Sequence, residues 1–203
     1  MGTVCFIVDA SVTGALLPRH LRSIRQSGLA DHALPIIVTC AHSDERLTDL
    51  EKRYHAHGLV TPAHTLGARL NQAAYISQAD WLLIALHKEP MAAQLWYLLY
   101  PQLDTATDAL LINAATPRFS ERLLLHFLSS AVTVPPYIAI RRAWLERIGG
   151  FDPELDEPAL LDFFTAPIRL PYAFKNAKRR VAWACSRLAT KPLTHLLLAP
   201  APL

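Results

Sequence analysis

The chain has 203 residues, 52% of them hydrophobic and 18% charged, enough for one full-sized core. Its net charge of +3 is too small to support nucleic-acid binding across the surface. The three cysteines, Cys5, Cys40 and Cys185, are odd in number and far apart, which excludes a disulfide framework and suits reduced thiols in a cytoplasmic setting.

Val4-Cys5-Phe6-Ile7-Val8 is apolar at every position and rich in β-branched residues, the pattern of a strand buried on both faces. No basic stretch precedes it, so no secretory leader is expected. Gly2 invites a myristoylation reading, but Phe6 stands where Ser or Thr is wanted. The strand ends in Asp9-Ala10-Ser11, and Pro18 then opens a helix to about residue 26 with Leu17, Leu21 and Ile24 on one face. A second strand is expected at 35–40. Ser43 reads as the cap of the next helix, with Asp44 and Glu45 favourable to its dipole and Leu47, Leu50 and Tyr54 on its buried side. Leu59-Val60 is a brief third strand. Gly67 starts a helix whose inner face is Leu70, Ala73 or Ala74, and Ser77.

The run from Trp81 to Leu86 is again apolar on consecutive residues and ends in His87-Lys88-Glu89-Pro90. Three strand–helix units and a further strand, joined by short linkers, predict a parallel sheet covered by helices on both faces. Ligands of such sheets sit outside the carboxyl ends of the strands, so the chemistry is expected near His87, Lys88 and Glu89. That trio could bind a phosphate or place a general acid or base, or it could be a solvated strand end.

The second half is less regular. Helices are expected at 90–100, 120–129, 142–148 and 158–164, and strands at 109–113, 132–134 and 137–140, with Gly149-Gly150 stopping the third helix. A basic helix is expected over 174–190, carrying Lys175, Lys178, Arg179, Arg180 and Arg187. It reads either as an ordinary solvent face or as a contact for an acidic partner or anionic lipid. No apolar run reaches membrane-spanning length. Neither a phosphate-cradling glycine loop, a Cys-x-x-Cys pair nor a Gly-x-Ser-x-Gly elbow occurs. His55-x-His57 would project its rings to different sides of a helix, with no further ligand at metal spacing.

Taken in order, several segments resemble the family 2 glycosyltransferases of the GT-A fold. They are the N-terminal strand followed by Leu17-Pro18-Arg19, Ile36-Ile37-Val38 followed by Ser43-Asp44-Glu45, Gly67-Ala68-Arg69-Leu70-Asn71, and Ala79-Asp80-Trp81-Leu82-Leu83-Ile84. Ile140-Arg141-Arg142 continuing to Gly149-Gly150-Phe151-Asp152 is similar to the family's acceptor-side signature and is the most specific piece. The match runs from about Val4 to Tyr172. It implies a GT-A-like α/β domain, Rossmann-related and mostly parallel, over 1–173, with a helical basic extension over 174–203.

The resemblance also implies a site. A nucleotide-sugar donor would lie near Ala10, Ser11, Cys40, Ser43, Arg69, His87 and Lys88, with Arg142 and Asp152 on the acceptor side. The family's acidic pair after the second strand is Cys40-Ala41 here, and its metal-holding Asp-x-Asp is Leu86-His87-Lys88. No metal ligand set is therefore expected, and Lys88 would offset the diphosphate charge directly. The family's base pair aligns with Ala159-Leu160, leaving Asp156, Glu157 and Asp162 as nearby substitutes, of which Glu157 or Asp162 would deprotonate an acceptor hydroxyl. The expectation is sugar transfer without an Asp-x-Asp metal site, or a non-catalytic relative used for binding or assembly. Self-association or peripheral membrane contact would run through 174–198, and no nucleic-acid partner is expected.

Overall fold

The computed structural model describes residues 2–26, 34–42, 45–88, 90–91, 99–103, 108–113, 136–156 and 181–185. Among the described residues seven strands form one sheet: β1 (Val4–Asp9), β2 (Ile36–Cys40), β3 (His57–Val60), β4 (Trp81–Ala85), β5 (Ala109–Asn113), β6 (Tyr137–Arg141) and β7 (Val181–Cys185), in the order β3-β2-β1-β4-β6-β5-β7. The pairs β1–β2, β1–β4, β2–β3 and β5–β7 are parallel, whereas β6 is antiparallel to both β4 and β5. Only β6 therefore runs against the rest, and its first residues lie beside the carboxyl end of β4, where Tyr137 faces Ala85.

The helices are α1 (Ala10–Thr13), α2 (Leu17–Arg25), α3 (Glu45–Tyr54), α4 (Leu66–Ile76) and α5 (Arg142–Arg147). Successive strand residues point to opposite faces, and each face has its own core. Phe6, Val8, Ile36, Val38 and Leu83 meet Leu17, Leu21 and Ile24 of α2 and Leu47, Leu50 and Tyr54 of α3. Cys5, Ile7, Ile37, Leu82 and Ile84 meet Leu66, Leu70, Ala73 and Ala74 of α4, with Trp144, Leu145 and Phe151 beside them. Burying a side chain such as Phe6 or Leu82 stabilises by about 1.5–3 kcal/mol, so the consecutive apolar runs commit these strands to the sheet's interior.

The expected strands at the N-terminus, at 35–40, around Leu59, from Trp81, at 109–113 and at 137–140 are all present, as are the helices opened by Pro18, near Gly67 and at Arg142. Asp9 caps an additional short helix, α1, by accepting hydrogen bonds from the backbone N–H groups of Ser11 and Val12. One expectation is corrected. The segment 181–185, anticipated as part of a basic helix, is β7, paired in parallel with β5. Val-Ala-Trp-Ala-Cys is apolar on consecutive residues and begins with a β-branched side chain, and a sheet edge accepts that pattern. The basic residues cluster before it, at 178–180, instead of lining one helix face. The rest of that expected helix, at 174–180 and 186–190, and the self-association or lipid contact expected through 174–198 lie outside the described residues. The helices expected at 120–129 and 158–164, the strand at 132–134 and residues 92–98 of the helix at 90–100 lie outside the described residues. Tyr100–Gln102 is a single 3-10 turn. Among the described residues no helix is long and apolar enough to cross a membrane.

Candidate functional site at the carboxyl mouth of the sheet

Asp9 ends β1 on the face covered by α4 and is fully buried. A carboxylate in that position requires partners, and four residues supply six hydrogen bonds to it. Arg69 of α4 donates through Nε to Oδ2 at 2.7 Å and through Nη2 to Oδ1 at 3.3 Å. Thr39 Oγ1 of β2 donates to Oδ2 at 2.7 Å. Ser11 donates through its backbone N–H and its hydroxyl, and Val12 through its N–H. Burial by itself would push the Asp9 carboxyl up. The hydrogen bonds from Arg69, Ser11 and Thr39, together with the charge of Arg69, outweigh it and hold the carboxyl below the usual carboxylate range. Arg69 is 3% exposed, and its remaining donors are occupied. Nη2 reaches Ser11 Oγ at 2.8 Å, and Nη1 reaches the carbonyls of His64 at 2.5 Å and Ala63 at 3.4 Å. One ion pair thus clasps the ends of β1 and β2 to the loop leaving β3.

A second tie lies on the opposite face. His20 of α2 is buried, with Nε2 2.9 Å from the carbonyl of Lys88 and Nδ1 3.3 Å from the Tyr137 hydroxyl. A carbonyl oxygen only accepts, so Nε2 carries the proton, and in the neutral ring Nδ1 accepts from Tyr137. The turn after β4 is also anchored by the Leu86 N–H to the Pro136 carbonyl at 2.9 Å. His87 and Lys88 are exposed beyond this anchored backbone.

The segment 149–156 is fastened to α4. Asn71 donates to the Phe151 carbonyl at 2.7 Å and accepts from the Phe151 N–H at 2.8 Å, a paired contact. Gly150 lies at φ +80°, and a Cβ there would meet Asn71 Oδ1 at 2.6 Å, which explains the second glycine of the signature. At the start of α4, a Cβ on Gly67 would sit 2.0 Å from the Asp152 carbonyl. Asp156 caps the helix there by accepting from the Leu66 N–H at 3.0 Å, and the Gly67 N–H bonds the Leu155 carbonyl at 3.2 Å.

Among the described residues, two cavities lie at opposite ends of the sheet. The larger, about 910 Å³, opens at the amino ends of the strands among Gly2, Pro35, His57 and Gln78, away from the mouth. Cys5 is in its lining, and burial pushes the thiol up and away from reactivity. The smaller, about 220 Å³, lies at the carboxyl ends of β1 and β2 and is lined by Ala10, Gly14, Leu17, Cys40, His42, Arg46, Leu47 and Leu50.

Of the donor-side residues expected from sequence, Ala10 and Cys40 line this smaller cavity. Ser11 and Arg69 belong to the clasp. His87 and Lys88 stand past the end of β4. Arg142 is at the other pole: its N–H bonds the Asp80 carbonyl at 2.9 Å and its Nε the Ala79 carbonyl at 3.2 Å, both preceding β4. Because β6 is antiparallel, the residue following it cannot be at the mouth. The Asp152 side chain caps its own turn, accepting from the Glu154 N–H at 2.9 Å. Ser43, Glu157 and Asp162 lie outside the described residues.

Sequence reasoning passed over His20, Asn71 and the role of Asp9. Signals existed: a carboxylate closing a fully apolar strand needs a buried partner. His20 falls three residues after Leu17, on the apolar face of α2, and Arg69 four before Ala73, on that of α4.

Neither a protein-family model nor a curated protein sequence matches the chain. Solved structures do. Residues 1–349 of TarS from S. aureus superpose with a TM-score of 0.67 at 16% identity, covering 91% of this chain and 58% of that one. The mannosyltransferase PcManGT from Pyrobaculum calidifontis, in complex with GDP-Man and Mn2+, gives 0.58 at 19% identity over 78% of this chain and 50% of that one. Glucosyl-3-phosphoglycerate synthase from Mycobacterium tuberculosis, in complex with Mn2+, UDP and glucosyl-3-phosphoglycerate, gives 0.61 at 16% identity over 95% and 74%. The chain thus spans little more than half the length of the first two. At these identities the likeness establishes the GT-A-like fold.

Proposed function

We propose that the mouth of the sheet binds a nucleotide-diphospho-sugar and that the protein transfers the sugar to an acceptor hydroxyl. The observation that carries this is the cavity at the ends of β1 and β2, in a fold shared with transferases solved with UDP or GDP-Man. The nucleoside would enter beside Ala10 and Cys40, and the diphosphate would extend toward His87 and Lys88. Arg69 acts as a positioning residue: its donors are spent on Asp9, Ser11 and the 63–64 carbonyls, so it shapes the mouth without touching the donor.

Among the described residues, the end of β4 offers no fitting donor set for the metal that such folds use. Leu86 is apolar and 5% exposed, and Lys88 is a cation. Among the described residues no three His, Cys, Asp or Glu side chains converge. Lys88 supplies the counter-charge for the diphosphate as a point charge on a flexible stem. In the transfer, the acceptor oxygen forms a bond to the anomeric carbon as the bond from that carbon to the diphosphate breaks. The nucleoside diphosphate leaves with the electron pair, and the hydroxyl proton passes to a carboxylate. Glu157 or Asp162 is that carboxylate in this reading. Asp156, which directly precedes Glu157, caps α4 just past the loop leaving β3, at the mouth side of the sheet. Asp152 belongs to the same acceptor-side segment.

Thermal shift with nucleoside diphosphates and their sugars, with Mn2+ or with EDTA, tests this reading. Bound ligand stabilises the fold by mass action, by about 2.7 kcal/mol at a hundredfold excess over Kd, and so raises the melting temperature. A shift that survives EDTA, accompanied by sugar release from the donor, supports transfer. No shift at millimolar concentration refutes donor binding. By the resemblance, Leu86-His87-Lys88 stands where the family has Asp-x-Asp, and this favours a second reading, a binding module without transfer. A shift with no turnover of any donor would select it.

A further inference from the structure

Resting on the nucleotide reading, the cavity at the ends of β1 and β2 carries information about which base it takes. It is too small for a whole nucleotide-sugar, since drug-sized ligands occupy about 300–1,000 Å³, and at about 220 Å³ it suits one ring system. Its floor is apolar: Leu17, Leu47, Leu50 and the buried Cys40, whose Sγ is turned to the Leu59 carbonyl at 3.9 Å. Its rim carries His42 and Arg46, both exposed, and among the described residues no carboxylate is in its lining. Asp9, the nearest carboxylate along β1, is buried and consumed by Arg69, Thr39 and Ser11. Arg46 lies in the first turn of α3, and among the described residues no ion pair occupies it. The polar recognition offered by these side chains is thus donor-rich.

A guanidinium presents two parallel N–H groups in a fixed fork, and the fork matches two neighbouring acceptors on a ring edge. Guanine offers O6 and N7, and cytosine offers O2 and N3. Uracil separates its two carbonyls by an N–H, which would face the guanidinium donor to donor. Adenine places an amino group beside each of N1 and N7. We infer that this cavity binds a base with two adjacent acceptors, cytosine or guanine, through Arg46, with His42 as a further polar contact, and discriminates against uracil and adenine.

Isothermal titration of the full chain with CDP, GDP, UDP and ADP tests this, alongside Arg46→Gln. CDP or GDP is expected to bind on the order of tenfold to a hundredfold more tightly than UDP and ADP. Whichever of the two binds more tightly identifies the ring. In Arg46→Gln this preference should collapse to less than about threefold, with an unchanged melting temperature showing that the exposed substitution leaves the fold intact. UDP binding as tightly as CDP and GDP, or a preference that survives Arg46→Gln, would overturn the base assignment and leave nucleotide binding standing. Inorganic pyrophosphate binding as tightly as CDP, and weakened equally by Arg46→Gln, would make this a phosphate site and overturn it too. If none of the four nucleotides binds, the nucleotide reading itself fails and the base assignment with it.

Discussion

Replacing Arg69 by Met leaves the Asp9 carboxylate fully buried with its counter-charge gone but most of the side-chain volume retained. Breaking a buried pair in this way costs about 3–5 kcal/mol, because the remaining charge is uncompensated. For a chain of this length each kcal/mol moves the melting temperature by about 2–4 °C, so a fall of roughly 6–20 °C is expected. The dependence on pH separates this cause from simple loss of packing. In the parent protein the Asp9 carboxyl is held below its unfolded value, so its contribution is fully present above about pH 4 and lost as the pH falls through the lowered folded value. In Arg69→Met burial dominates and pushes the carboxyl up. The sign then reverses: the folded state binds the proton more tightly, and the variant loses stability as the pH rises above about 4. The double variant Asp9→Asn/Arg69→Met should recover much of the loss at neutral pH. Urea titrations at neutral pH and near pH 4.5 read all three effects. A cost below about 1 kcal/mol, or the same pH slope in parent and variant, would refute the reasoning.

Three further outcomes follow from the same geometry. His20→Phe keeps the bulk of the ring but strands the Lys88 carbonyl and the Tyr137 hydroxyl, and should cost about 1–3 kcal/mol in urea denaturation. Gly67→Ala drives a methyl group against the Asp152 carbonyl and should cost at least about 1–3 kcal/mol, read by thermal melting. Asn71→Ala removes both bonds to Phe151, and its effect should be non-additive with Gly150→Ala because the two act on one contact.

The sheet was legible because its strands are apolar on consecutive residues: Val4 to Val8 and Trp81 to Leu86 have no alternative but the interior. The segment 181–185 carries the same signal, but the lysines and arginines before it suggested a longer amphipathic helix. Propensity at a short apolar run does not separate the two, and pairing with β5 decided it. At the mouth, Ala10 and Cys40 were found because they end strands. Arg142 was drawn to the site by its place in a signature, while the antiparallel course of β6 carries it to the other pole. The Asp9–Arg69 clasp was not read: each residue shows locally only as a charge at an apolar position, and neither composition nor period pairs two positions 60 apart.

That separation has a kinetic consequence. The ties that shape the mouth join residues 60, 68, 80 and 117 positions apart, in Arg69 to Asp9, His20 to Lys88, Asn71 to Phe151 and His20 to Tyr137. None can form before the chain has closed the corresponding loops, and the 77 positions between Val4 and its neighbour Trp81 set the same requirement for joining β1 to β4. The mouth and the centre of the sheet therefore share one entropic cost of closure, and the site is assembled together with the sheet that carries it.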